Sequence, residues 1–145
     1  MRLLVNDGRG FFRDESEARL PATTFSTWGG TPVDFNHDGA LDLIVGAIQV
    51  PGFVPMQVRA YANDGTGHFT DQTDRVIPSE TVGRSWGMAV GDLDGDGVDD
   101  LFIGGWGTQA RLLLGRRGPA AVTEPRARPA APRVTQTAAA PSRRR

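Results

Sequence analysis

Asp34, Asn36, Asp38 and Asp42 occupy places 1, 3, 5 and 9 of the run Asp34-Phe35-Asn36-His37-Asp38-Gly39-Ala40-Leu41-Asp42. Asp92, Asp94, Asp96 and Asp100 occupy the same places in Asp92-Leu93-Asp94-Gly95-Asp96-Gly97-Val98-Asp99-Asp100. Side-chain oxygens at these places, with a backbone carbonyl at place 7 from Ala40 or Val98, are what a hard, oxygen-seeking cation requires. Glycine at place 6, Gly39 or Gly97, permits the sharp turn that brings the oxygens onto one centre. The chemistry implied is divalent-cation coordination, with Ca²⁺ favoured over Mg²⁺ because many flexible ligands suit the larger ion. The first loop offers three carboxylates and the neutral Asn36, the second four carboxylates, so ligand charge predicts tighter binding at the second.

The elements that must position these loops are short and apolar. Leu43-Ile44-Val45-Gly46 follows the first loop and Leu101-Phe102-Ile103-Gly104 the second, and Trp28-Gly29 and Trp86-Gly87 precede them, all at an offset of 58 residues. Asn6-Asp7-Gly8-Arg9-Gly10-Phe11-Phe12-Arg13-Asp14 recurs as Asn63-Asp64-Gly65-Thr66-Gly67-His68-Phe69-Thr70-Asp71, at an offset of 57. Such a period marks a repeat architecture whose units cannot bury their apolar faces alone. Asp-Gly between apolar segments signals a tight hairpin with a primed turn. The continuous apolar runs suit strands covered on both faces. Nineteen glycines and ten prolines interrupt every candidate helix. The expected fold is all-β, with strands near 29–33, 41–47, 58–62 and 67–72 making one unit, the make-up of a four-stranded propeller blade.

At these residues the chain resembles the FG-GAP or VCBS repeats of integrin α-chain-type propellers, from about Arg2 to Leu114. The pairing with a preceding Trp-Gly is similar to proteins related to cartilage acidic protein. The resemblance implies calcium sites in blade hairpins, export from the cell, and binding or adhesion on one rim. Carried over by position, Asp34, Asn36, Asp38, Asp42 and the Ala40 carbonyl form one site. Asp92, Asp94, Asp96, Asp100 and the Val98 carbonyl form the other.

Competing readings fail on spacing. An EF-hand closes with a bidentate Glu at place 12 between helices, whereas Val45 and Ile103 stand there, within strand-like runs. Gly83-Arg84-Ser85-Trp86-Gly87 matches the G-x-S-x-G nucleophile elbow, which needs a helix after it and a later histidine. Both histidines, His37 and His68, precede Ser85 and are expected to be solvent-exposed spacers. Asp7 and Asp64 are expected to be turn residues. Trp28 and Trp86 occupy equivalent places and are expected to pack between blades, with a sugar-stacking platform as the lesser reading. Trp106 has Ile48 at its equivalent place and is the better candidate for a ligand contact.

Length and charge set the organisation. A closed propeller takes roughly 4–8 blades, and the patterned part supplies about two. The expected units are a partial blade at 1–27, a full blade at 28–84, a partial blade at 85–115, and a Pro/Ala/Arg-rich disordered tail at 116–145. Residues 1–115 carry a net charge of −8 and residues 116–145 a net charge of +7. The basic tail has no aromatic residues, so nucleic acid is not an expected partner. No signal peptide and no apolar run of spanning length is visible, and the absence of cysteine excludes disulfides. The leading expectation is a calcium-binding, non-catalytic, extracellular binding or adhesion module, a piece of a larger propeller or a self-associating protomer, with an extracellular protein or glycan as ligand. The alternatives are an accessory propeller of a polysaccharide-active enzyme whose catalytic domain lies elsewhere, and an orphan fragment without activity of its own.

Overall fold

The computed structural model describes residues 1–116. The tail reading for 117–145 lies outside the described residues. Among the described residues, ten strands form three separate antiparallel sheets that do not close into a ring.

The first sheet is the hairpin β1 (Leu4–Asn6) and β2 (Phe12–Asp14). A one-turn helix, α1 (Ser16–Arg19), leads from it to the second sheet. That sheet is ordered β3 (Ser26–Val33), β4 (Asp42–Gln49), β6 (Arg59–Asn63), β7 (Phe69–Asp71), with the short β5 (Val54–Pro55) sharing the β6 side of β4. Apart from β5, which falls in the stretch expected to be a connection, its four strands lie at the places the sequence pattern gives for a blade. A second one-turn helix, α2 (Thr73–Val76), and a 3₁₀ turn at Ser79–Thr81 connect it to the third sheet. There β8 (Ser85–Gly91), β9 (Asp100–Gly105) and β10 (Arg111–Leu113) repeat the first three strands of the blade.

Strand alternation decides which side chains meet. On one face of the second sheet the cross-strand row Thr31, Ile44, Ala60 points at the third sheet. Leu101 and Ile103, with Met88, Val90 and Leu113 packed around them, answer from the third sheet. Val33, Val58 and Ile77 complete this core. Gly46 lets the sheets approach closely, since a Cβ there would lie 3.0 Å from the Ser85 side chain. The reverse face of the third sheet carries the row Ala89, Phe102, Leu112, which is exposed.

Two details depart from the sequence reading. The Asp-Gly hairpins are not two-residue primed turns: five residues separate β1 from β2, because Asn6 Oδ1 takes the Gly8 amide at 2.6 Å and Asp7 Oδ1 the Arg9 amide at 2.8 Å. Asn63 and Asp64 do the same for Gly65 at 3.0 Å and Thr66 at 2.8 Å, so Asp7 and Asp64 are turn residues as expected. The helical turns were not anticipated. Each opens where an Asp accepts from a hydroxyl residue two places on, Asp14 from Ser16 and Asp71 from Thr73. The hydroxyl in turn accepts a third-strand or pre-strand amide, Leu3 N at 2.8 Å and Ala60 N at 3.1 Å.

Candidate metal centres

The nine-residue loops join β3 to β4 and β8 to β9, and they fold alike. In the first, Asp34 Oδ1 accepts from Asp38 N (3.0 Å) and Oδ2 from Gly39 N (2.9 Å). In the second, Asp92 Oδ1 accepts from Asp96 N (3.1 Å) and Oδ2 from Gly97 N (3.0 Å). Asn36 and Asp94 each take the amide at place 5, at 2.9 and 3.2 Å. Asp38 and Asp96 each take the amide at place 7, Ala40 at 2.8 Å and Val98 at 2.9 Å. Gly39 and Gly97 have φ of +87° and +81°, the left-handed conformation that the turn demands and that glycine adopts freely.

The ninth residue differs from the rest in being buried: Asp42 and Asp100 are 0% and 1% exposed. One oxygen of each closes the loop, Asp42 on Phe35 N (3.2 Å) and Asp100 on Leu93 N (2.7 Å). The other reaches the end of the third strand of the same sheet, Asp42 to Asn63 N (2.7 Å) and Asp100 to Gly115 N (2.8 Å). The two carboxyls nevertheless respond oppositely. Burial pushes Asp42 above the usual carboxylate range, against the amides of Asn63 and Phe35 and with the help of the Asp38 and Asp34 charges. The Leu93 amide leads in holding Asp100 below that range, and the Gly115 amide and the Arg116 charge act in the same direction.

Of the residues proposed from the sequence, Asp92, Asp94 and Asp100 present oxygens that all lie within 4.8 Å of one another. Oxygens bound to one Ca²⁺ at about 2.3–2.6 Å can be no farther apart than about 5 Å, so this donor set fits the ion in size and in chemistry. Among the described residues this is the one group of three acidic, histidine or cysteine side chains that converges in this way. Asp96 is not part of it, and its Oδ2 lies 3.2 Å from Arg116 Nη1, which holds Asp94 as well. In the first loop Asp34, Asp38 and Asp42 do not converge as three carboxylates, and the place 3 donor is the amide Asn36, whose Nδ2 donates to Asp38 Oδ2 at 3.2 Å. At place 12, Val45 and Ile103 are buried strand residues, which removes the EF-hand reading.

Arg116 is the site residue that sequence reasoning missed. Its Nη1 donates to Asp94 Oδ2 at 2.7 Å and to the Gly115 carbonyl at 2.7 Å. Composition assigned it to the tail. The signal lay in aligning the third strands on their leading arginines: Arg59-Ala60-Tyr61-Ala62-Asn63-Asp64 against Arg111-Leu112-Leu113-Leu114-Gly115-Arg116 sets a cation where the full blade has Asp64.

The end of the sheets opposite the loops holds an aromatic cluster. Trp28 meets Trp86 edge-on with ring centroids 5.1 Å apart, and lies 5.4 Å from Phe53 and 5.5 Å from Trp106. Trp28 and Trp86 thus touch between the second and third sheets, as their equivalent places imply, while Trp86 and Trp106 stay 62% and 47% exposed. Ser85 of the G-x-S-x-G match is buried, opens β8, and is followed by strand and loop in place of a helix, so no nucleophile elbow forms. His37 and His68 are exposed.

Among the described residues no helix is long and apolar enough to cross a membrane. No curated protein and no solved structure matches the chain. Residues 52–103, running from the turn before β5 through β9 and enclosing the second loop, match the family model of the FG-GAP-like repeat. That match falls on strands and a loop whose geometry has just been given, and it supports an FG-GAP-type repeat protein with propeller-like blades.

Proposed function

We propose that the chain is a calcium-binding, non-catalytic propeller-type module that serves binding or adhesion outside the cell. The observation that carries calcium binding is the convergence of Asp92, Asp94 and Asp100 within 4.8 Å in a loop whose hydrogen bonding is matched by a second loop one repeat earlier. Asp92, Asp94, Asp100 and the Val98 carbonyl hold the ion at the second loop, with Asp96 joining when freed. Asp34, Asn36, Asp38, Asp42 and the Ala40 carbonyl hold it at the first. The bound ion supplies charge neutralisation, drawing together carboxylates that otherwise repel. The extracellular setting fits the family's usual location and weak calcium sites on the order of 0.1–1 mM, which suffice there.

Calorimetric titration of the full chain with Ca²⁺ tests this reading: two binding events are expected, with Mg²⁺ weaker. Ligand that binds only the folded state stabilises it by about 2.7 kcal/mol at one hundred times its dissociation constant. A melting temperature indifferent to saturating calcium and to chelator overturns the reading.

A second reading, the accessory propeller of a polysaccharide-active enzyme, is favoured by the exposed rings of Trp86 and Trp106. Binding to a glycan array that Trp106→Ala abolishes would select it, and binding to matrix proteins alone would select adhesion.

A further inference from the structure

We propose that Arg116 is a built-in counter-cation of the second loop, which an incoming divalent ion must displace before Asp94 and Asp96 are free to bind it. The inference rests on the calcium reading above and concerns what that site meets first. The guanidinium reaches Asp94 at 2.7 Å and Asp96 at 3.2 Å, so a single cation already spans two of the four carboxylates.

Its placement is built into the backbone. Gly115 N is held by Asp100 at 2.8 Å, and a Cβ on Gly115 would stand 2.3 Å from the Asp99 carbonyl oxygen. Only glycine lets the chain lie that close to the loop, and the residue after it then falls over the carboxylates. In the full blade the corresponding pair is Asn63-Asp64, and Asp64 turns to its own hairpin, bonding Thr66. Among the described residues no cation pairs with Asp34, Asp38 or Asp42.

The consequence offsets the advantage that counting carboxylates gives the second loop. The aspartates at places 1, 3, 5 and 9 of the second loop, with Arg116 engaged, sum to −3, equal to the three aspartates of the first, and Asp99 stands beside them. Two cations cannot share one oxygen nest, so calcium binding there is coupled to release of the arginine. Exposed ion pairs are individually weak, and two of them together are worth on the order of a three- to ten-fold change in affinity.

Calcium titration of the full chain, followed by the Gly39 and Gly97 amide signals in nuclear magnetic resonance, reads the loops separately. Arg116→Gln is expected to raise affinity at the Gly97 loop about three- to ten-fold and to leave the Gly39 loop unchanged. Arg116→Lys, which keeps the charge without the fork, is expected to fall between. In the parent chain the Arg116 side-chain N–H signal should move as the Gly97 loop fills. Calcium binding with equal affinity in parent and Arg116→Gln, or an Arg116 signal that stays fixed, overturns the inference and leaves the calcium reading intact. Absence of binding at both loops in both proteins overturns the calcium reading and this inference with it.

Discussion

Asp64 shows how much a single turn carboxylate does. The Thr66 hydroxyl and amide hold its carboxyl below the ordinary value of 3.8, with the His68 amide acting in the same direction. A depressed folded pKa contributes stability that is present above the unfolded value and is lost as pH falls through the folded one. Asp64→Asn should therefore lie below the parent in urea midpoint at neutral pH, with the gap closing as the pH drops below the usual carboxylate range. A gap that stays constant down to acid pH would show that Asp64 acts by shape alone. The loops give a parallel lesson about legibility. Glycine at place 6 was readable because the turn needs it. Place 4 was not, since it holds His37 at φ +58° in one loop and Gly95 at φ +79° in the other. Histidine tolerates the left-handed region better than most residues, so one conformation hides behind two residue types.

The four strands of the blade were legible because apolar alternation and Asp/Gly punctuation both mark them. The one-turn helices were not, because four residues are too short to show a period of 3.6. Their signature is the Asp-x-Ser/Thr step, Asp14-Glu15-Ser16 and Asp71-Gln72-Thr73, which extends the recurring hairpin segment by two places. Its role is structural: Thr73 is 2% exposed, and its hydroxyl serves the buried Ala60 amide in the second sheet's third strand. Thr73→Val preserves shape while leaving that amide without a partner, which should cost about 1–3 kcal/mol in chemical denaturation. Ser16→Ala, at a half-buried place, should cost less. Equal stability of Thr73→Val and parent would mean that β6 relaxes to find another acceptor. Arg116 escaped notice for a related reason. Arg111-Leu112-Leu113-Leu114 reads as a strand like Arg2-Leu3-Leu4-Val5, but Gly115-Arg116 replaces the Asn-Asp that opens each hairpin, so the chain from Arg116 on reads by composition as tail.

The repeat leaves the molecule with a face patterned for cover. Ala89, Phe102 and Leu112 on the third sheet correspond to Thr31, Ile44 and Ala60 on the second, and there Ile44 and Ala60 are 3% and 0% exposed beneath the neighbouring sheet. Phe102 and Leu112 are instead 44% and 53% exposed. An apolar row of this kind favours association, and sedimentation velocity should show concentration-dependent self-association of the chain. Phe102→Asp should shift it to monomer without altering the far-ultraviolet spectrum, and an unchanged profile would show that the face stays bare. The aromatic cluster supplies a way to watch the sheets themselves. Trp28, Trp86 and Trp106 come from two sheets, with ring centroids 5.1, 5.5 and 6.0 Å apart. Indole transitions at such separations and tilts couple as excitons, giving a circular-dichroism couplet that belongs to the juncture rather than to either partner. Parting the blades would silence that couplet while every strand kept its ladder, so the protein carries its own optical gauge of whether its leaves are shut.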